Sequence, residues 1–427
     1  GIYTPLLNNG IFVANIDRSG ERFGFYASEV VKHEYVHHFA YVNGPFYYPI
    51  WYSEGLADFF STMEINGTNV EVGKIIQGRI NEMGYQDWIS WRSVIASKAY
   101  WRVPGDRALS AQSVSLYYAQ SWFLVHYLQS DPNRAAQINE YLRRVRDGAP
   151  SVKTFEEVFD LTIEELTVVM EEKWDEGLPL KYYDVSTVDF SSLSEPYTRR
   201  LSNDETRSRR ALIASQFGLS YDKMRQDRID DLDRARRDYP ENLEILKRLV
   251  EIHTENGEFD LAAPYVQLAR SIDPEAGLTL YMEGKFLHGA LRDAENFDAT
   301  IAIWNRIKAK YDGARKADPL SASAHYNYAE TFLRAPGGVS EAAIDAALTA
   351  VGLSPDAYDV PLTAATLLSR GGYRDDAIYL LEGLAAWAPN ARVRNRANDE
   401  LRKLNAQVES DSSEADRSGS DTDNSSE

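Results

Sequence analysis

The sequence predicts an α+β amino-terminal domain, a small sheet with two prominent helices, followed by an all-α solenoid. Three observations lead there. Short β-like runs flank turn signals near the start, two strongly helical stretches follow them, and from residue 206 onward helices alternate with prolines at a recurring interval.

At 427 residues the chain is too long for one ordinary core. Residues 3–17 pair two β-like runs around Asn8-Asn9-Gly10 and read as a hairpin. Residues 28–42 read as a helix with Ser28 as its N-cap. A second helix begins after Pro49 and runs into a hairpin around Asn66-Gly67, and a third covers 113–130, ending before Asp131-Pro132. The pattern weakens over 186–205, a linker that separates a domain at 1–185 from the helical remainder of the chain.

Pro240, Pro274, Pro319, Pro355 and Pro389 each close a helical stretch, at intervals of 34, 45, 36 and 34 residues. "GEFDLAAPYVQLARSIDP" and "GGYRDDAIYLLEGLAAWAP" share one layout: a Gly turn, an aromatic, Asp, small residues, then a helix ending at Pro. Over roughly 206–404 this resembles the tetratricopeptide family, with one repeat enlarged by an insertion inside the 45-residue interval. The acidic, Ser-rich stretch 405–427 lacks apolar periodicity and is expected to be disordered.

A formal net charge of -19 argues against binding nucleic acid, which needs clustered Lys and Arg. The chain has no cysteine, so any metal must be held by His, Asp or Glu. No run of eighteen apolar residues is present, so no membrane span is expected. Gly1 is followed at once by strand-like sequence without a leader, which suggests a mature or trimmed chain.

The chemistry concentrates in "VVKHEYVHHF", residues 31–40. On a helix, positions i and i+4 share a face, so His33 and His37 can offer both imidazoles to one ion. Glu34 lies about 100° round from His33, near enough to take a proton from a water on that ion without being a ligand. Chance alone would produce this pattern on the order of once per hundred chains of such composition. A catalytic zinc wants a third protein ligand and an open fourth position. "WYSEGLADFF" offers Glu54 for the metal, with Asp58 one turn on, able to accept the other ring N–H of His33.

His33-Glu34-x-x-His37 followed by Glu54-x-x-x-Asp58 resembles the gluzincin metallopeptidases, a zincin-like fold, and "SEGLADFF" is especially similar to the bacterial peptidase MA-like group. The resemblance implies His33, His37 and Glu54 as zinc ligands, Glu34 as general base and then acid, and Asp58 as the partner behind a ligand. It also implies a downstream tyrosine that hydrogen-bonds the oxyanion. Tyr118 in "LYYAQSWFLVHYL" takes that place, with Tyr117 in reserve, although Ala119, Gln120 and Ser121 depart from the family phrase. The Gly-x-Met-Glu-Asn strand of gluzincin aminopeptidases does not occur, which favours an endopeptidase. The strand "GIFVANID" is instead the candidate to pair with an extended substrate. Only 32 residues precede His33, few for the sheet that covers a zincin helix, so part of that sheet is expected to be missing.

His38 is expected on the packing or solvent side, His126 in the core, and His253, His288 and His325 among the repeats without metal spacing. Trp88, Trp91, Tyr100 and Trp101 are expected to pack rather than line a pocket. The leading expectation is a zinc endopeptidase acting on a peptide or protein, its repeats binding substrate or a partner protein. The alternatives are an interaction scaffold with an inactive peptidase-like domain, and a zinc hydrolase of a non-peptide amide. The peptidase resemblance further implies export from a bacterial cell.

Overall fold

The computed structural model describes residues 2–4, 7, 11–13, 26–43, 48–98, 111–189, 199–355, 357–388 and 391–420. The chain divides into two compact units, one of residues 1–190 with 355–427, the other of 191–354.

The first unit is α+β. Strands β1 (Ile2–Thr4) and β2 (Ile11–Val13) pair antiparallel, Ile2 opposite Val13, and pack against helix α1 (Ala27–Asn43). The expected turn at Asn8-Asn9-Gly10 and the rest of "GIFVANID" lie outside the described residues. Ser28 is not the cap of α1: the carbonyl of Tyr26 accepts from Glu29 and Val30, and the Glu29 carboxylate accepts from the Tyr26 amide at 3.2 Å. An acid in the first turn, where the helix dipole favours it, replaces the hydroxyl cap.

Helix α2 (Ile50–Ser61) starts behind Pro49, whose carbonyl accepts from Tyr52 and Ser53. Ten of its residues are buried, on every face, as befits a central helix. Trp51 is fully buried against Tyr141 and Phe155, an aromatic anchor whose truncation to Ala would cost about 3–5 kcal/mol. Strands β3 (Glu64–Asn66) and β4 (Asn69–Val72) form the expected hairpin, with Gly67 at φ 62 supplying the left-handed turn residue. Strand β4 also pairs with β5 (Lys181–Asp184).

Helices α3 (Gln77–Tyr85), α4 (Trp91–Ala96) and α5 (Ala111–Gln129) follow, and α5 lies along α2. Asp131 then caps α6 (Pro132–Arg146), so the Asp-Pro pair both ends one helix and starts the next. Helices α7 (Ser151–Phe159) and α8 (Ile163–Glu176) complete this stretch. Trp88 packs edge-on against Trp91, Phe123 and Trp174. Tyr100 and Trp101 lie outside the described residues.

The second unit is helical: α9 (Asn203–Ala214), α10 (Asp222–Asp238), α11 (Leu243–Glu255), α12 (Phe259–Ile272), α13 (Gly277–Leu287), α14 (Phe297–Ala317), α15 (Ala322–Arg334) and α16 (Glu341–Leu353). Helix α9 begins inside the stretch 186–205 because Ser202 and Glu205 form a capping box. Successive helices pack on one another as helical hairpins, and Pro240, Pro274 and Pro319 each stand two residues past a helix end. Leu249 and Ile252 of α11 join Ile229 and Leu232 of α10 in one apolar cluster, while Leu246 and Val250 join Val266 and Met282 in the next. Each helix thus buries one face on each neighbour, which is how a repeat array obtains a continuous core. The 45-residue interval holds the 3-10 turn His288–Leu291 and the 21-residue α14.

Two features differ from the sequence reading. The helices α17 (Asp359–Arg370), α18 (Arg374–Trp387) and α19 (Ala391–Ser420) group with residues 1–190 rather than with 191–354. Helix α18 packs on α6, and Arg146 lies over the Tyr379 ring at 5.6 Å. In addition, α19 runs through Ser420, where disorder was expected from 405. No proline follows Pro389, so nothing in the chain breaks that helix earlier. Residues 421–427 lie outside the described residues.

Candidate metal centre

Helices α1 and α2 pack side by side and bring three donors together. His33 Nε2 and His37 Nε2 are 3.1 Å apart, and Glu54 Oε2 lies 3.3 Å from the first and 3.4 Å from the second. The triangle is nearly equilateral. Each imidazole is steered from behind: His33 Nδ1 meets Asp58 Oδ1 at 2.7 Å, and His37 Nδ1 meets Ser53 Oγ at 3.2 Å. Both rings therefore turn Nε2 toward Glu54. The Glu54 Oε2 atom is buried and takes no well-formed hydrogen bond among the described residues. An unshared carboxylate oxygen facing two ring nitrogens in a buried place is costly unless a cation sits among them.

A tetrahedral zinc ion has bonds of about 2.0–2.1 Å to nitrogen and oxygen, which sets its ligand–ligand edges at roughly 3.3–3.4 Å. The observed separations fall on or close to those edges, so the residues fit the ion. Among the described residues, His33, His37 and Glu54 form the group of this kind.

The electrostatics agree with a cation site. Burial opposes a charge on His33, yet Asp58 and then Glu54 overcome it and push its pKa up to about 10. Burial likewise opposes ionisation of Glu54, but the facing His37, and His33 beside it, hold it well below the usual carboxylate range. Asp58 is buried too and is held low first by Arg79, then by His33. Without a metal the carboxylates keep a proton on His33; a divalent cation would take that proton's place.

Glu34 is buried beside His33, only 6% exposed. Tyr118, on α5, is half-buried, and its ring lies under the Arg79 guanidinium at 5.2 Å. Burial raises its pKa, and the charges of Glu54, Asp58 and Glu34 raise it further, so the phenol keeps its proton and can donate. Tyr117 is fully buried on another face, its hydroxyl donating to the Val94 carbonyl at 3.4 Å. It does not join the cluster.

His38 is partly buried beside Tyr35. His126 is 2% exposed, with Nε2 3.0 Å from the Pro179 carbonyl oxygen. Of the repeat histidines, His253 meets Glu258 at 2.8 Å and His325 meets the Pro319 carbonyl at 3.1 Å. Sequence reasoning missed Arg79, which grips Asp58, and Ser53, which steers His37. Ser53 adjoins Glu54 and could have been found by asking what lies on α2 one position before the ligand. Arg79 is 21 residues beyond Asp58 on another helix and carries no local signal.

No curated protein matches the chain. Residues 28–150 match a family model described as a protein of unknown function, DUF1570. Solved structures similar to the chain include a thermophilic TPR protein from Thermus thermophilus, at 17% identity over 46% of this chain and 98% of that one, TM-score 0.37. Others are pilF of Pseudomonas aeruginosa, at 19% identity over 47% and 90% of the two chains, TM-score 0.32, and yeast Tom70, at 15% identity over 74% and 68%, TM-score 0.37.

Proposed function

We propose that the chain is a zinc-dependent metallopeptidase of the gluzincin kind, an endopeptidase, whose helical repeats bind the protein substrate or a partner. The supporting observation is the buried triangle of His33 Nε2, His37 Nε2 and Glu54 Oε2, with sides of 3.1, 3.3 and 3.4 Å. Bound there, zinc would supply Lewis acidity, polarising a carbonyl and lowering the pKa of a water. The chain's own residues do the rest. Glu34 accepts the water's proton and returns it to the departing amine. Tyr118 keeps its phenolic proton and offers it to the oxygen that gains charge. Asp58 holds the orientation of His33 through Nδ1.

A second reading has the repeats as a protein-interaction scaffold and the first domain as catalytically weak or inactive. The helical hairpins of residues 203–353 favour it, since such an array presents a binding surface and needs no turnover.

The test is zinc analysis of the full chain, then incubation with a diverse peptide library beside Glu34→Gln. The peptidase reading expects one zinc in each protein, and turnover lower by about 10²–10⁴-fold in the variant, because an amide cannot accept the proton. Equal cleavage by both would remove Glu34 from the chemistry. Zinc without cleavage of any peptide would leave the scaffold reading standing.

A further inference from the structure

Arg79 stands in the first turn of α3, where a cation faces the positive end of the helix dipole. Its side chain is only 11% exposed. Nε donates to Asp58 Oδ2 at 2.7 Å and Nη2 donates to Asp58 Oδ1 at 3.3 Å, a two-pronged grip that fixes the plane of the carboxylate. The same Oδ1 accepts from His33 Nδ1 at 2.7 Å. The guanidinium carbon lies over the Tyr118 ring, 5.2 Å from its centroid. Burying an ion pair brings little net stability compared with an apolar pair of similar size. Its position against the dipole brings none. What the pair does touch is two other side chains, His33 through Asp58 and Tyr118 through Arg79.

From this chain of contacts we infer that Arg79 is a positioning residue for the metal centre: through Asp58 it sets the rotation of His33, and through its contact with the ring it seats Tyr118. The inference rests on the zinc reading above. The rival account is charge compensation alone, in which any cation near Asp58 would serve. Lysine separates the two, because it carries the charge but has neither the fork nor the flat face.

The experiment measures zinc affinity of the full chain by competition with a chromophoric chelator, for the parent, Arg79→Ala and Arg79→Lys, with circular dichroism on each. Positioning predicts zinc binding weaker by about 10–100-fold in both variants, with partial recovery of Arg79→Ala in millimolar guanidinium. If Arg79→Ala does not fold, Arg79→Lys decides. A folded Arg79→Lys with parental affinity overturns the inference, and so does an Arg79→Lys that loses its fold, since Arg79 would then be structural. A parent that takes up no zinc overturns the zinc reading itself. For the second contact, Tyr118→Phe should lower turnover of a cleaved peptide less in the Arg79→Lys background than in the parent. Equal losses in the two backgrounds would show that Arg79 does not seat Tyr118.

Discussion

Gly55 meets the backbone of Ser121 so closely that a Cβ at position 55 would stand 2.2 Å from the Ser121 carbonyl oxygen. The helix bearing Glu54 is thereby seated directly on the helix bearing Tyr118. Gly55→Ala should force α2 and α5 apart and destabilise the first unit by about 1–3 kcal/mol, since packed backbone cannot yield as a side chain does. Thermal unfolding checks it, and an unchanged midpoint would mean the helices have room to spare.

His37→Ala should abolish tight zinc binding, because His33 and Glu54 alone cannot close a tetrahedral site. Metal analysis after dialysis against a weak chelator reads the outcome. Full occupancy at parental affinity would remove His37 from the ligand set.

Tyr118→Phe keeps the ring under Arg79 and deletes only the hydroxyl. Zinc content and KM should stay near parental values while kcat falls by about 10²–10³-fold, the usual cost of one donor to a developing oxyanion. Retained kcat would mark Tyr118 as a packing residue.

Glu251 gives the second unit a pH dependence. It is buried, which opposes its charge, but Lys247, Arg248 and Lys285 lower its pKa to about 2, and Tyr281 donates to it at 3.0 Å. A folded-state pKa below the unfolded value stabilises above about 4.5, and that stability drains away as the pH falls toward 2. The contribution at neutral pH is on the order of 3 kcal/mol. Glu251→Gln should therefore speed amide exchange in α11 and α13 at pH 7 and flatten its dependence between pH 4.5 and 2. Identical pH profiles for the two proteins would refute this role.

That His33 and His37 share a face was legible because helical periodicity is local: four residues apart means one face, whatever else the chain does, whereas Glu34 and Glu54 were singled out by the family resemblance. The prolines were legible for the same reason, since each marks where a helix cannot continue. Arg79 was not. It reaches Asp58 only through the placement of α3 against α5, which no short-range pattern encodes. Ser28 misled because a hydroxyl at a helix start is a good cap on average, and here Glu29 and the Tyr26 backbone met the need first. Proline spacing likewise tells which helices pair with their neighbours, but says nothing of where α18 docks, and α18 docks on α6.

Because residues 355–427 belong with 1–190, the first unit is discontinuous in the chain, and residues 191–354 are inserted into it. During synthesis at about 5–20 residues per second, the first unit must wait roughly 10–50 s for its last helices to be made. The inserted array needs only its own neighbours and can fold in that interval. A folded insert costs less loop-closure entropy than the same 164 residues left unstructured, which eases the approach of α17–α19 to α6. The order of synthesis thus favours the inserted array folding before the unit that encloses it in sequence.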